Sequence, residues 1–345
     1  MHFFKQKKTN LSFKYIFKMS KEIKRIGVLT SGGDAPGMNA AIRAVVRAAS
    51  FHDLHVYGVF EGYKGLINGE VKRLESGDVA NTLQRGGTIL KTARCEEFKT
   101  KEGRNIAYET IKAYDIDGMI VIGGNGTYTG AKYFSEEFDI PFIGLPGTID
   151  NDIWGTDYTI GYDTAINTAI EAIDKIRDTA DSHNRLFFIE VMGRHAGFIA
   201  LDTGIGSGAA YTFLPELDGG VSHLLDMLKK AAIRKKMFNI VVVAEGNANG
   251  SVHDLAKAVE ENLKGYDTRV TTIGHMQRGG SPSAADRVLA STLGYEAVEC
   301  LVKGIKNKAL GIVDSRLFMC TFDEAINNRK PLNDAKIELL NVLAI

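Results

Sequence analysis

The stretch Arg25-Ile26-Gly27-Val28-Leu29-Thr30-Ser31-Gly32-Gly33-Asp34-Ala35-Pro36-Gly37-Met38-Asn39 decides how the chain folds. It begins as a short apolar run, turns through glycines, and passes at Met38 into a helical pattern that lasts to Ala49. A strand that ends in glycines and opens a helix is the first unit of a parallel sheet covered by helices. The alternation recurs, with apolar runs at 26–29, 56–60, 119–122, 142–145, 186–191, 211–214, 240–244 and 270–273. Eight runs exceed what one small sheet needs. Helical periods are expected at 38–49, 105–114, 162–178, 222–236 and 284–303; in the third, Ala165, Ala169, Ala172, Ile173 and Ile176 form one stripe suited to packing on a sheet.

Composition narrows the class. The chain has 345 residues, 44% hydrophobic, and 42 Lys plus Arg balance 42 Asp plus Glu. That length suggests two domains with cores of their own. The balance argues against nucleic acid or an anionic membrane as partner, and no apolar stretch is long enough to span a bilayer. Three scattered cysteines, Cys95, Cys300 and Cys320, fit a reducing, cytoplasmic compartment better than a disulfide framework. Glycine is abundant at 37 while proline numbers 6, which points to tight turns and close backbone approach rather than a linker. Residues 1–24 are lysine-rich with one acid, Glu22, and lack a targeting pattern. They are expected to be a frayed tail, or to lie upstream of a true start at Met19.

The chemistry is expected beyond the carboxyl ends of the strands, where loops deliver ligand groups. Two glycine-rich turns lie there, 30–39 and Gly123-Gly124-Asn125-Gly126-Thr127. Backbone N–H groups at a helix start cradle phosphates, yet neither turn is a Walker A loop or a dinucleotide fingerprint. The turn Pro146-Gly147-Thr148-Ile149-Asp150-Asn151-Asp152 offers two carboxylates that can divide labour, one taking a proton and the other orienting it or facing a metal; taken alone it could equally be an Asx turn with a helix cap. Arg185, Arg194, Arg269 and Arg278 fall at the ends of apolar runs beside glycines, as bidentate grips on phosphate would. Phosphate cradles, a carboxylate base and arginine clamps are the equipment of phosphoryl transfer.

Through the 32–39 turn, 146–152, Met192-Gly193-Arg194 and His275-Met276-Gln277-Arg278-Gly279-Gly280, the chain resembles the bacterial-type ATP-dependent 6-phosphofructokinase family from Arg25 to its C-terminus. The resemblance implies an α/β fold of two doubly wound, Rossmann-like three-layer domains. A nucleotide domain would comprise 25–161 plus 274–324, and a fructose 6-phosphate and effector domain 162–273 plus 325–345. It also implies a homotetramer in which MgATP phosphorylates the sugar's 1-hydroxyl. Asp150 would be the base, supported by Thr148 and Asp152, and Gly33 and Arg194 would serve the transferring group. Gly33, Arg94, Cys95, Gly124, Asn125, Gly126 and Thr127 would hold the nucleotide. Thr148, Ile149, Asp150, Met192, Gly193, Arg194, Glu245, His275, Met276, Gln277 and Arg278 would hold the sugar phosphate, with Arg185 and Arg269 reaching in from a neighbouring subunit. A nucleoside diphosphate or phosphoenolpyruvate effector would meet Arg43, Arg47, Arg177, Arg234 and Lys236.

The pyrophosphate-using members carry Asp in place of Gly126 and Lys in place of Gly147, so both glycines favour ATP. Three departures stand out. Asn125 replaces the Asp that faces Mg²⁺, Thr127 replaces a Ser, and Ser76 and Ala210 replace an effector-site Arg and Glu. The competing readings are a pyrophosphate-dependent phosphofructokinase, a catalytically silent sugar-phosphate or nucleotide sensor, and a nicotinamide-dependent oxidoreductase.

Overall fold

A computed structural model describes residues 23–183, 185–217, 220–233, 240–263 and 265–344. Residues 1–22 of the basic segment, Arg234 and Lys236 lie outside them. The elements run β1 (Arg25–Thr30), α1 (Met38–Phe51), β2 (His55–Val59), α2 (Gly62–Asn68), β3 (Val71–Leu74), α3 (Lys101–Ala113), β4 (Gly118–Gly123), α4 (Asn125–Glu137) and β5 (Phe142–Pro146). There follow α5 (Tyr162–His183), β6 (Arg185–Val191), α6 (Phe198–Ser207), β7 (Tyr211–Phe213), α7 (Gly220–Ile233), β8 (Ile240–Ala244), α8 (Val252–Asn262) and β9 (Asp267–Thr272). The chain ends with α9 (Ala284–Val302), β10 (Lys308–Val313), β11 (Arg316–Thr321), α10 (Phe322–Asn327) and α11 (Asp334–Leu343).

Two sheets result. The first has the order β11-β10-β5-β4-β1-β2-β3 and the second β7-β8-β6-β9. The second is parallel throughout; the first is parallel except at its rims, where β3 and β11 run antiparallel. Its central strands β1, β4 and β5 are buried along nearly their whole length, because helices cover both faces and every side chain meets a core. That is why they read as unbroken apolar runs. One hydrophobic cluster reaches from Ile26, Val45 and Ile120 to Ile189, Val191 and Val242, so the core is continuous between the sheets.

The first sheet takes its strands from the two ends of the chain, and β5 meets β10 at Ile143↔Lys308 and Gly144↔Ala309. Asp286, near the start of α9, fastens the start of α5: its carboxylate accepts from Gly161 N–H, Thr164 N–H and the Thr164 hydroxyl.

Candidate active site

The strands deliver their carboxyl ends to one crevice between the sheets. From the first sheet come the turns after β1, β4 and β5; from the second come those after β6, β8 and β9. Arg278 joins the two groups. It sits on the 3₁₀ turn Gly274–Arg278, and its Nη1 donates to the Asp34 carbonyl at 3.1 Å. A Cβ at position 33 would lie 2.6 Å from that same nitrogen, so Gly33 is what lets the guanidinium pass.

Asp150 occupies the middle. It is 3% exposed, with Arg194 Nε 3.4 Å from Oδ2 and Arg278 Nη2 3.9 Å from Oδ1, and Oδ1 has no hydrogen-bond partner. Burial, then the charge of Asp152, raises its pKa above the ordinary carboxylate value, and the two arginines oppose that only in part. A desolvated carboxylate with one oxygen uncommitted, set between two arginines that line a pocket, is poised to accept a proton.

Around it the backbone is held in unusual form. Asn151, between Asp150 and Asp152, has φ 54°. Its amide accepts from Thr159 N–H at 2.9 Å and donates to the Asp157 carbonyl at 3.3 Å. Arg194 also has φ 54° and Gly193 φ 142°, and one oxygen of Glu245 accepts both N–H groups, at 2.6 and 3.3 Å. A Cβ at Gly246 would fall 1.8 Å from the Arg194 carbonyl, so this turn depends on Gly246.

Behind Asp150 opens a cavity of about 690 Å³, lined at one end by Gly32, Gly33, Arg94, Cys95, Gly124–Thr127, Thr148 and Arg194. The other end is aromatic and basic, with Tyr63, Phe98, Lys99, Arg104 and Tyr133. Phosphate-binding turns at one end and stacking faces at the other match a nucleotide. The far end is absent from the sequence reading, since isolated aromatics carry no spacing signal. Asn39 escaped it too. Its buried amide accepts from Ile89 N–H at 2.7 Å and donates to the Arg85 carbonyl at 3.0 Å, tying the loop that leads to Arg94 onto α1.

The other expected residues take the following places. Gln277 is wholly buried, its amide accepting from Met192 N–H at 2.8 Å and donating to the Ala165 carbonyl at 3.4 Å, so its side chain shapes the turn. The Ile149 side chain lies in the core. The Thr127 hydroxyl is spent on the Ser31 carbonyl at 3.0 Å, lashing the two glycine turns together. His275 and Met276 are exposed at the rim. Arg185 opens β6 and Arg269 is the third residue of β9; both grip Asp267, and about 20 Å of strand separates Arg185 from the end of β6 that leads to Arg194. Arg43 and Arg47 share α1, with Arg47 donating to the Ser76 carbonyl at 3.2 Å; Arg177, on α5, donates to the Ser207 carbonyl.

For a metal, the residues fit in a limited way. Asn125 Nδ2 donates to Asp152 Oδ2 at 3.1 Å, and the buried Asn125 Oδ1 has no partner. Among the described residues, no group of three or more His, Cys, Asp or Glu could hold a metal. A cation here would therefore rely on ligand phosphates for most of its coordination.

The chain matches the family model named Phosphofructokinase over residues 25–301. It is 53% identical to "ATP-dependent 6-phosphofructokinase 2" of Bacteroides thetaiotaomicron, covering 93% of this chain and 98% of that one. It is 54% identical to "ATP-dependent 6-phosphofructokinase 1" of Thermus thermophilus, over 94% and 100%. The phosphofructokinase structure from Saccharomyces cerevisiae superposes with TM-score 0.84 at 36% identity over 93% of this chain, which spans about half, 48%, of that longer yeast chain.

Proposed function

The chain belongs to the phosphofructokinase family, and from that premise we propose how its residues share the reaction. It is an ATP-dependent 6-phosphofructokinase, a glycolytic kinase that moves the γ-phosphoryl group of ATP to the 1-hydroxyl of fructose 6-phosphate.

The buried Asp150 carboxylate, with Oδ1 unpartnered between Arg194 and Arg278, carries the assignment of roles. Asp150 takes the proton from the attacking hydroxyl. Arg194, 61% exposed along its side chain, swings onto the transferring phosphoryl group with Arg94. The N–H groups of Gly33 and of Gly124, Asn125 and Gly126 hold the nucleotide phosphates, and the purine lies at the far end of the cavity beside Lys99, Arg104 and Tyr133, where Tyr63 and Phe98 stack on each other to form the wall. Met192, Gly193, His275 and Arg278 bind the sugar phosphate, while Glu245 sets the Arg194 turn. Asn125 Oδ1 would hold Mg²⁺, with Asp152 behind it. The ion supplies charge neutralisation at the phosphates when bound.

The nucleotide lobe comprises 25–161 and 274–324, and the sugar-phosphate lobe 162–273 and 325–345. The assembly is a homotetramer in the cytoplasm, in which Arg185 and Arg269 complete a neighbour's site. A nucleoside diphosphate or phosphoenolpyruvate acts at Arg43, Arg47 and Arg177, joined by Arg234 and Lys236. A coupled assay with fructose 6-phosphate, Mg²⁺ and either ATP or pyrophosphate tests the scheme. ATP should support turnover, and Asp150→Ala should lower kcat by about 10²- to 10⁴-fold. Turnover with pyrophosphate alone, or near-normal kcat in the variant, would overturn it.

A further inference from the structure

The strand-free segment after α10 crosses back to α11, linking the α4 side of the first sheet to α6 of the second. It carries Lys330, a residue that no motif flags. Lys330 Nζ donates to the Asp157 carbonyl at 2.7 Å and lies 5.1 Å from the centre of the Phe198 ring. That carbonyl is the one the Asn151 side chain also reaches, and Asn151 is the left-handed residue between Asp150 and Asp152. A non-glycine residue held at positive φ needs its surroundings to keep it there. Phe198 begins α6, directly after the loop that carries Arg194. The ammonium thus touches the turn bearing the base on one side and the helix following the arginine loop on the other.

We propose that Lys330 is a positioning residue for phosphoryl transfer, clamping the Asp150–Asp152 turn to the start of α6 so that the base and Arg194 keep their separation. This deepens the assignment of Asp150 as base and rests on it. Four charged groups face the ammonium: Asp152 and Asp157 from the turn, Asp202 from α6 and Lys336 from α11. Burial outweighs the carboxylates and lowers the lysine to about 8. As pH rises through that value the charge is lost, and with it the charge-assisted bond and the attraction to the ring.

Lys330→Met and Lys330→Arg, assayed beside Asp150→Asn for kcat and both KM values between about pH 6.5 and 9.5, test this, with thermal melting to show that each variant is folded. Lys330→Met should lower kcat about 10- to 100-fold, as misplacement of a reacting group does, while each KM stays within about threefold. Lys330→Arg should restore most of the rate and hold it beyond the pH at which the wild type declines, because guanidinium stays charged. Normal kcat in Lys330→Met with an inactive Asp150→Asn would overturn the role of Lys330 alone. An active Asp150→Asn would overturn the base itself. A loss that arginine does not rescue, with an unmoved pH profile, would mark a purely structural lysine and also overturn the proposal.

Discussion

At Asp150 function and stability pull apart. Its raised pKa means the native state binds a proton more readily than the unfolded chain, so its contribution to stability is fullest at low pH and falls as pH rises through the folded value. At neutral pH the ionised group is a net cost despite both arginines. Asp150→Asn should therefore melt higher in metal-free buffer while losing activity; a lower melting temperature would mean that the arginines outweigh burial. Asn125 makes a complementary case. Its amide pairs with Asp152 where a second carboxylate would repel. In Asn125→Asp the melting temperature should fall without divalent ions and recover steeply with Mn²⁺, a dependence weak or absent in the wild type; equal ion dependence in both would sink this account. The sequence discloses Asp150, Arg194 and Arg278 because their turns are long and specific. It conceals the burial of the Gln277 side chain, since an amide that faces solvent and one buried under a turn are spelled alike.

Among elements, the strands buried between helix layers, β1, β4, β5 and β8 above all, were legible as apolar runs, and β2, β6, β7 and the edge strand β9 were found with them. The rim strands β3 and β11 were not, because an antiparallel edge with one wet face loses the continuous pattern, and β10, between β11 and β5, is buried only at Ala309, Leu310 and Gly311. Helix α6 hid for the opposite reason: Phe198, Ile199, Ala200, Leu201, Thr203, Gly204 and Ser207 are buried nearly all round, leaving no polar face to mark a period. Helix α4 also lacks a strong signal, for its first turn is built of glycine and polar residues to serve the cavity. That turn permits a clean test. A Cβ at Gly126 meets nothing within 4 Å, whereas one at Gly147 falls 2.8 Å from Ile122 Cγ2 and 3.1 Å from Met38 Cε. Gly126→Asp should keep stability within about 0.5 kcal/mol, since an acid suits a helix start, yet raise the KM for ATP about tenfold or more by opposing the phosphates. Gly147→Lys should instead lower the melting temperature. Unchanged nucleotide affinity in the first variant would show that phosphate does not pass over this turn.

On the scale of the whole molecule, Arg185 at the start of β6 and Arg269 in the first half of β9 both pair with Asp267, away from the strand ends that lead to the Asp150 crevice. In the proposed scheme their value to the reaction depends on a second copy. If the interface is two-fold, Asp150→Asn and Arg185→Ala, each impaired alone, should complement when refolded together, restoring up to about a quarter of wild-type sites by random pairing. No recovery in verified mixed oligomers would confine both arginines to their own chain. The pairing of β5 with β10 bears on synthesis. Until residue 308 leaves the ribosome, the partner for Ile143 does not exist, and at about 5–20 residues per second the apolar edge of β5 stays open for on the order of ten seconds or longer. The nascent chain thus carries an open apolar edge through the second half of its synthesis, a wait during which aggregation competes with folding.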